Sequence, residues 1–254
     1  MVYIYDGTFE GFLSVVFEAF RTKTAPLAII PGRANTQMPL GECVTIPRKE
    51  KEAKRVWAGL EQRTGPKYAR MVRIAFLAEE PQTEMLLWRY LSKVFTSQVA
   101  DFCRNMLDAD VYETVQMARR VHREVHRFQG FVRFQKTADG MYFAAIDPDH
   151  NIVHLLTPHF RSRYEGQPWV IYDTRRNHGV FYDTNQVMEV VLSNPGFDMK
   201  TGKLHDHAKD SDQDYYRELW QAYYDAINII ERKNHRQMKR AMPQRYWKYL
   251  PEKD

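Results

Sequence analysis

Apolar positions recur at helical spacing over several long stretches and form short unbroken runs in the middle of the chain. Val2–Tyr5 predicts a short strand. Phe9, Phe12, Leu13, Val16, Phe17 and Phe20 then predict a helix over Phe9–Arg21, with Thr8 as its N-cap. The Pro- and Gly-rich stretch Lys23–Arg48 predicts a long connection with one strand near Cys43–Ile46. Helices follow over Glu50–Arg63, Tyr68–Ala78 and Thr83–Thr96, divided at Gly65-Pro66 and at Pro81. Asp108–Phe128 reads as a long amphipathic helix whose buried side runs from Val111 through Val121 to Phe128.

The pattern then turns strand-like. Phe131–Lys136 and Met141–Asp147 predict a hairpin through Thr137-Ala138-Asp139-Gly140. Trp169–Thr174 and Val180–Thr184 predict two further strands, and Val187–Leu192 either a strand or a short helix. Ser193–Lys209 reads as a polar loop. Tyr215–Arg232 reads as a helix with Leu219 and Trp220 on a stripe assigned to the core. The expected fold is α+β: a central antiparallel or mixed sheet from the middle of the chain, packed by N-terminal helices and a long C-terminal helix. The expected organisation is one domain over residues 1–254, ending in a basic aromatic tail at 233–254.

Candidate chemistry centres on Met141–Tyr164, where a strand-like run leads into a run carrying three histidines. Asp147 is placed as a helix N-cap with Pro148 at the first helical position. His150 and His154 then share a helix face, and His159 falls on the opposite side unless the helix breaks at Thr157-Pro158. With no HExxH glutamate, no metal site is expected, nor any cofactor. Asp173, after Trp169–Tyr172, is placed to orient a histidine or to pair with an arginine. His150, His159 and Asp173 are therefore the candidate catalytic groups.

Charge adds a second theme. The formal net charge is +5 and the isoelectric point about 9.1, which suits a polyanionic partner. Arg120, Arg123 and Arg127 cluster on the long helix, with Glu124 as the one nearby acid. Arg161, Arg163, Arg175 and Arg176 flank the central histidines and suit phosphate. In the tail, Arg240, Arg245 and Lys248 interleave with Tyr246 and Trp247. Such a pattern either neutralises phosphates and stacks bases or packs the tail on the body. Only two cysteines are present, Cys43 and Cys103, so an iron–sulfur cluster on this chain is not expected and a reducing, cytoplasmic setting is. The start MVYIYDGTFEGF carries Asp6 and Glu10 and no basic segment, so no secretory signal is expected, and no apolar run reaches the roughly 20 residues of a membrane span.

The stretches YDGTFEGF, HRFQGFVRFQ, YFAAIDPDHNIVHLLTPHF, WVIYDTRR and MPQRYWKYLPE together resemble a bacterial domain family of unknown function linked to DNA metabolism and DNA repair. That family is encoded beside a radical-SAM protein and is found fused to uracil-DNA-glycosylase-like domains. The resemblance implies a DNA-binding repair or DNA-metabolism protein with DNA and a radical-SAM protein as partners. It carries no catalytic residues with it. Two alternatives stay open: a nucleic-acid-processing enzyme, nuclease or base-processing, built on the His/Asp/Arg set, and a non-catalytic protein-interaction scaffold.

Overall fold

The computed structural model of the chain describes residues 1–32, 42–99, 101–192, 196–226 and 235–253. The chain divides into two compact units, Met1–His122 and Arg123–Asp254. The α+β class holds, and the sheet from the middle of the chain, expected to be antiparallel or mixed, is mixed.

In the first unit, β1 (Val2–Tyr5) is the centre of a parallel three-stranded sheet, between β2 (Ala28–Pro31) and β3 (Cys43–Thr45). Helix α1 (Phe9–Thr22) follows β1. Thr8 caps it by accepting from the Gly11 N–H at 3.0 Å, so the Asp-Gly-Thr turn is spent on capping. Helix α2 (Glu50–Phe76) is interrupted at Gly65, whose φ of 77° and ψ of 162° lie outside the helical region. The two predicted helices therefore meet there. Helix α3 (Thr83–Thr96) has its predicted bounds. Helix α4 (Ala109–Phe131) contains the division between the units and is three residues longer at its end than expected.

The second unit is built on a five-stranded mixed sheet in chain order: β4 (Gln135–Lys136), β5 (Tyr142–Ile146), β6 (Trp169–Asp173), β7 (His178–Tyr182) and β8 (Val187–Val190). The expected strand Phe131–Lys136 shrinks to two residues because α4 runs on to Phe131. β5 and β6 are parallel, with Ile146 opposite Asp173, and the other pairs are antiparallel. Phe143, Ala145, Val170 and Tyr172 bury one sheet face against Phe197 and Leu204. On β5 and β6 both faces are covered, which is why these strands read as unbroken apolar runs.

A parallel pair needs a crossover, supplied by α5 (Val153–Arg163). This helix starts later than the Asp147-Pro148 pattern predicts and continues through Pro158, so the expected break at Thr157-Pro158 does not occur. Pro158 and His154 are both exposed, which puts the helix turn that Pro158 deprives of a backbone donor on the outer side of the helix. Helix α6 (Gln213–Ala226) covers the described part of the predicted Tyr215–Arg232 helix; residues 227–234 lie outside the described residues. The chain ends in α7 (His235–Ala241) and two short 3-10 turns, Gln244–Tyr249 and Pro251–Lys253.

Gly179 tests how tightly the central strands are set. It sits opposite Tyr172, and a Cβ there would lie 2.6 Å from the Ile171 carbonyl oxygen. Neither neighbour can yield without breaking the ladder. Gly179→Ala is expected to cost about 2 kcal/mol in urea unfolding, within the usual range for overpacking.

Candidate nucleic-acid interface

Register decides which candidate residues meet. The loops that leave the carboxyl ends of β5 and β6 emerge side by side, because Ile146 and Asp173 are paired. Asp147, Asp149 and His150 therefore stand next to Asp173, Arg175 and Arg176. Crevices outside the carboxyl ends of parallel strands are frequent ligand sites. Here the space is filled by the chain's own ion pairs.

Asp173 is 0 % exposed, and its Oδ1 accepts the Arg175 and Arg176 N–H groups at 2.9 and 3.1 Å. Its Oδ2 accepts from the Arg176 guanidinium at 2.9 Å. Burial pushes the carboxyl above its ordinary range, against the pull of Arg176. Arg176 also donates to the carbonyls of Pro148 and Asp149, at 3.2 and 2.7 Å. Arg175 reaches Asp147 at 2.8 Å, and Lys248 reaches the same carboxylate at 3.1 Å. Burial would raise the Asp147 carboxyl, but its hydrogen bonds to Lys248 and Arg175 hold it below the usual carboxylate range.

Glu124, on α4 and 4 % exposed, closes the cluster from beneath. It accepts the backbone N–H groups of Asp149 and His150, both at 2.9 Å, and the Tyr246 hydroxyl at 2.6 Å. Arg245 lies 3.8 Å from it and also pairs with Asp149. This explains why residues 147–152 are not helical. The N–H groups that Asp147 would have capped are taken by Glu124, while Asp147 is held by Arg175 and Lys248. His150 is buried ahead of the helix, so it does not share a helix face with His154, and its Nε2 lies 4.0 Å from Glu124.

His159 stands apart. It is half-buried two turns into α5, with its ring edge-on to Phe160, and the helix carries it away from the Asp173 end by about 1.5 Å per residue. Among the described residues no hydrogen bond or ion pair joins it to Asp173. Arg161 turns toward the Asn185 carbonyl and the Tyr182 ring. Arg120 grips Glu80 in a two-pronged pair and also Glu113. Arg123 is exposed and Arg127 half-buried on α4, and Arg240 is exposed on α7. Tyr246 is 1 % exposed and packed on Phe128, which leaves it no face for a base. Trp247 is half-buried, and its Nε1 donates to the Met242 carbonyl at 3.0 Å. Of the two readings of the tail, packing onto the body accounts for Tyr246, whereas the hydrogen bond of Trp247 stays within the tail. Among the described residues no group of three or more His, Cys, Asp or Glu could hold a metal ion.

An open concavity of the second unit lies elsewhere. A cavity of about 640 Å³ lies between the end of α4, β4 and β5, the end of α5, α6 and the C-terminal 3-10 turns. Seven lining side chains are Lys or Arg, and one, Asp214, is an acid. Several cations have carboxylates behind them: Arg133 with Glu252 at 2.6 Å, Lys136 with Asp210 at 3.0 Å, Lys209 with Asp206 at 2.8 Å. Arg163 has no carboxylate partner among the described residues; its guanidinium lies 5.9 Å from the Tyr164 ring centre. Phe134, Tyr142, Phe160 and Tyr164 form an edge-to-face cluster on one side, with Phe134 5.2 Å from Tyr164.

Trp220 is also part of the lining, and this corrects the sequence reading. It is 37 % exposed and Leu219 48 %, so these two residues of the apolar stripe are not core. The indole Nε1 donates to Glu252 at 2.9 Å, and the Arg133 guanidinium lies 5.2 Å from its ring centre. The Glu252 side chain, 1 % exposed, would be raised by burial, but Arg133 and Trp220 hold it low. The position of Trp220 in sequence, on a regular i, i+4 stripe, hides this role.

Fold and cavity define an α+β protein with a cationic, aromatic-walled pocket in its second unit. The chain belongs to the family described as domain of unknown function DUF4130, whose model matches residues 81–252 and so includes every residue that lines the pocket. No curated protein and no solved structure matches the chain. Among the described residues no helix is long and apolar enough to cross a membrane.

Proposed function

We propose that this protein binds nucleic acid through the cationic cavity of its second unit and serves in DNA repair or DNA metabolism beside a radical-SAM protein. The observation that carries the binding is the seven-to-one excess of basic over acidic side chains around an aromatic-walled concavity. Cations neutralise phosphates and release their counterions, and aromatic faces hold unstacked bases. The DNA pathway and the radical-SAM partner come from the family resemblance of the sequence motifs. The two cysteines, Cys43 half-buried and Cys103 buried, cannot ligate an iron–sulfur cluster between them, so that cluster belongs to the partner.

The catalytic alternative built on His150, His159 and Asp173 has less support. Asp173 is sealed by three N–H donors, and His159 is not joined to it. The test is a salt series of fluorescence anisotropy with single- and double-stranded DNA. Affinity is expected to fall with salt, with a log–log slope of about −0.7 to −0.9 per phosphate contacted. Absence of binding to either form at low salt sinks the reading.

A further inference from the structure

The pocket's shape and chemistry allow its occupant to be narrowed. We propose that the cavity receives a single unstacked nucleotide, its base against the aromatic walls and its phosphate at Arg163; this rests on the nucleic-acid reading above. A volume of about 640 Å³ is within the range of small-molecule sites. A sphere of that volume is about 11 Å across, narrower than the ~12 Å major groove of a duplex alone. A duplex can lie over its mouth, whereas one nucleotide fits inside.

Three features of the lining match a nucleotide in particular. Trp220 is fixed before any ligand arrives: Glu252 holds its Nε1, and Arg133 lies over its ring. A preset indole loses little side-chain entropy when a base stacks on it. Gln129 lines the cavity, half-buried, and its side-chain amide makes no hydrogen bond with the described residues. That amide offers the donor and acceptor pair that reads a base edge. Arg163, exposed at the end of α5 and without a carboxylate partner among the described residues, is a cation still available to a phosphate. Neutral aromatic ligands leave this cation unused, and simple polyanions leave the aromatic walls unused.

The experiment uses the full chain and a short single-stranded oligonucleotide carrying one 2-aminopurine, beside the same strand with an abasic site at that position. Binding is expected to quench the 2-aminopurine emission, and the abasic strand is expected to bind about tenfold or more weakly, as one lost stacking contact implies. Trp220→Ala should reproduce that loss, and Trp220→Phe should restore most of it. Arg163→Ala, at an exposed site, should lower the salt slope by about one phosphate contact. Competition by adenosine monophosphate shows that a free nucleotide enters the same cavity. Failure to compete, with discrimination against the abasic strand intact, assigns the site to a nucleotide within a strand. Equal affinity for the two strands with unchanged emission overturns the nucleotide pocket while leaving salt-dependent nucleic-acid binding standing. Loss of all oligonucleotide binding at low salt overturns both.

Discussion

Glu124→Ala is expected to destabilise the second unit by about 3–5 kcal/mol, the cost of stripping a buried charged hydrogen-bonding centre. For a unit of this size that is a fall in melting temperature of at least about 10 °C, followed by circular dichroism. The carboxylate serves three donors from two distant segments: the N–H groups of Asp149 and His150, and the Tyr246 hydroxyl. Alanine leaves all three without their acceptor and Arg245 without one of its two carboxylates. Tyr246→Phe separates the parts. It keeps the ring on Phe128 at 4.8 Å and removes the 2.6 Å hydrogen bond to Glu124 together with the one the hydroxyl accepts from Arg245, so it should cost about 1–2 kcal/mol. A Glu124→Ala protein within about 1 kcal/mol of the parent would mean that the loop and tail are held by packing alone. The functional consequence is local. The 3-10 segment anchored by Tyr246 continues into Lys248, Tyr249, Leu250 and Pro251, which line the cavity. Loosening the anchor should weaken oligonucleotide binding even at temperatures where the sheet is intact.

What could be read from the sequence follows from how local each cause is. β5 and β6 were legible because strands covered on both faces are apolar throughout, whereas β7 begins two residues before the expected Val180, at His178. α1 and α3 were legible because their apolar positions repeat at 3.6 residues and helix-breaking residues bound them. Residues 147–152 were misread as a helix start because Asp-Pro is a good local cap. Its backbone donors are instead satisfied by Glu124, 25 and 26 residues away. Glu124 itself reads in sequence as the one acid near a cluster of arginines. Nothing local shows that the tail returns to bury it. The sequence places Arg175 and Arg176 beside the central histidines and Arg245 and Lys248 in the tail; the fold brings the four together, and Asp147, Asp149, Asp173 and Glu124 make them a neutral clasp. Trp220 was hidden by a regular stripe, since periodicity says which side of a helix is apolar and not whether that side meets a core or a cavity.

Arg176→Met is expected to cost about 3–5 kcal/mol at pH 7, and part of that cost should vanish on acidification. Among the described residues Arg176 is the one side chain that pairs with Asp173, and removing it leaves a carboxylate at 0 % exposure with the backbone donors of Arg175 and position 176. Burial already raises the Asp173 carboxyl above its unfolded value, and Arg176 limits that rise. Without the guanidinium the folded-state value climbs further while the unfolded value stays put. A raised carboxyl disfavours folding once it must ionise, so the variant's extra penalty is fully present above its own, higher pKa. It shrinks as pH falls toward the parent's folded value, below which both proteins carry a neutral Asp173. What remains at acid pH is the loss of the bonds to the Pro148 and Asp149 carbonyls. Urea unfolding at pH 7 and pH 5 measures the difference. Arg175→Met is the control: its side chain is 46 % exposed and it pairs with Asp147, whose carboxyl is held low and stays ionised at both pH values. It should cost no more than about 1 kcal/mol, and equally at both. An Arg176→Met deficit that is also equal at both would show that Asp173 is not stranded, and that the clasp acts through the Arg176 carbonyl contacts instead.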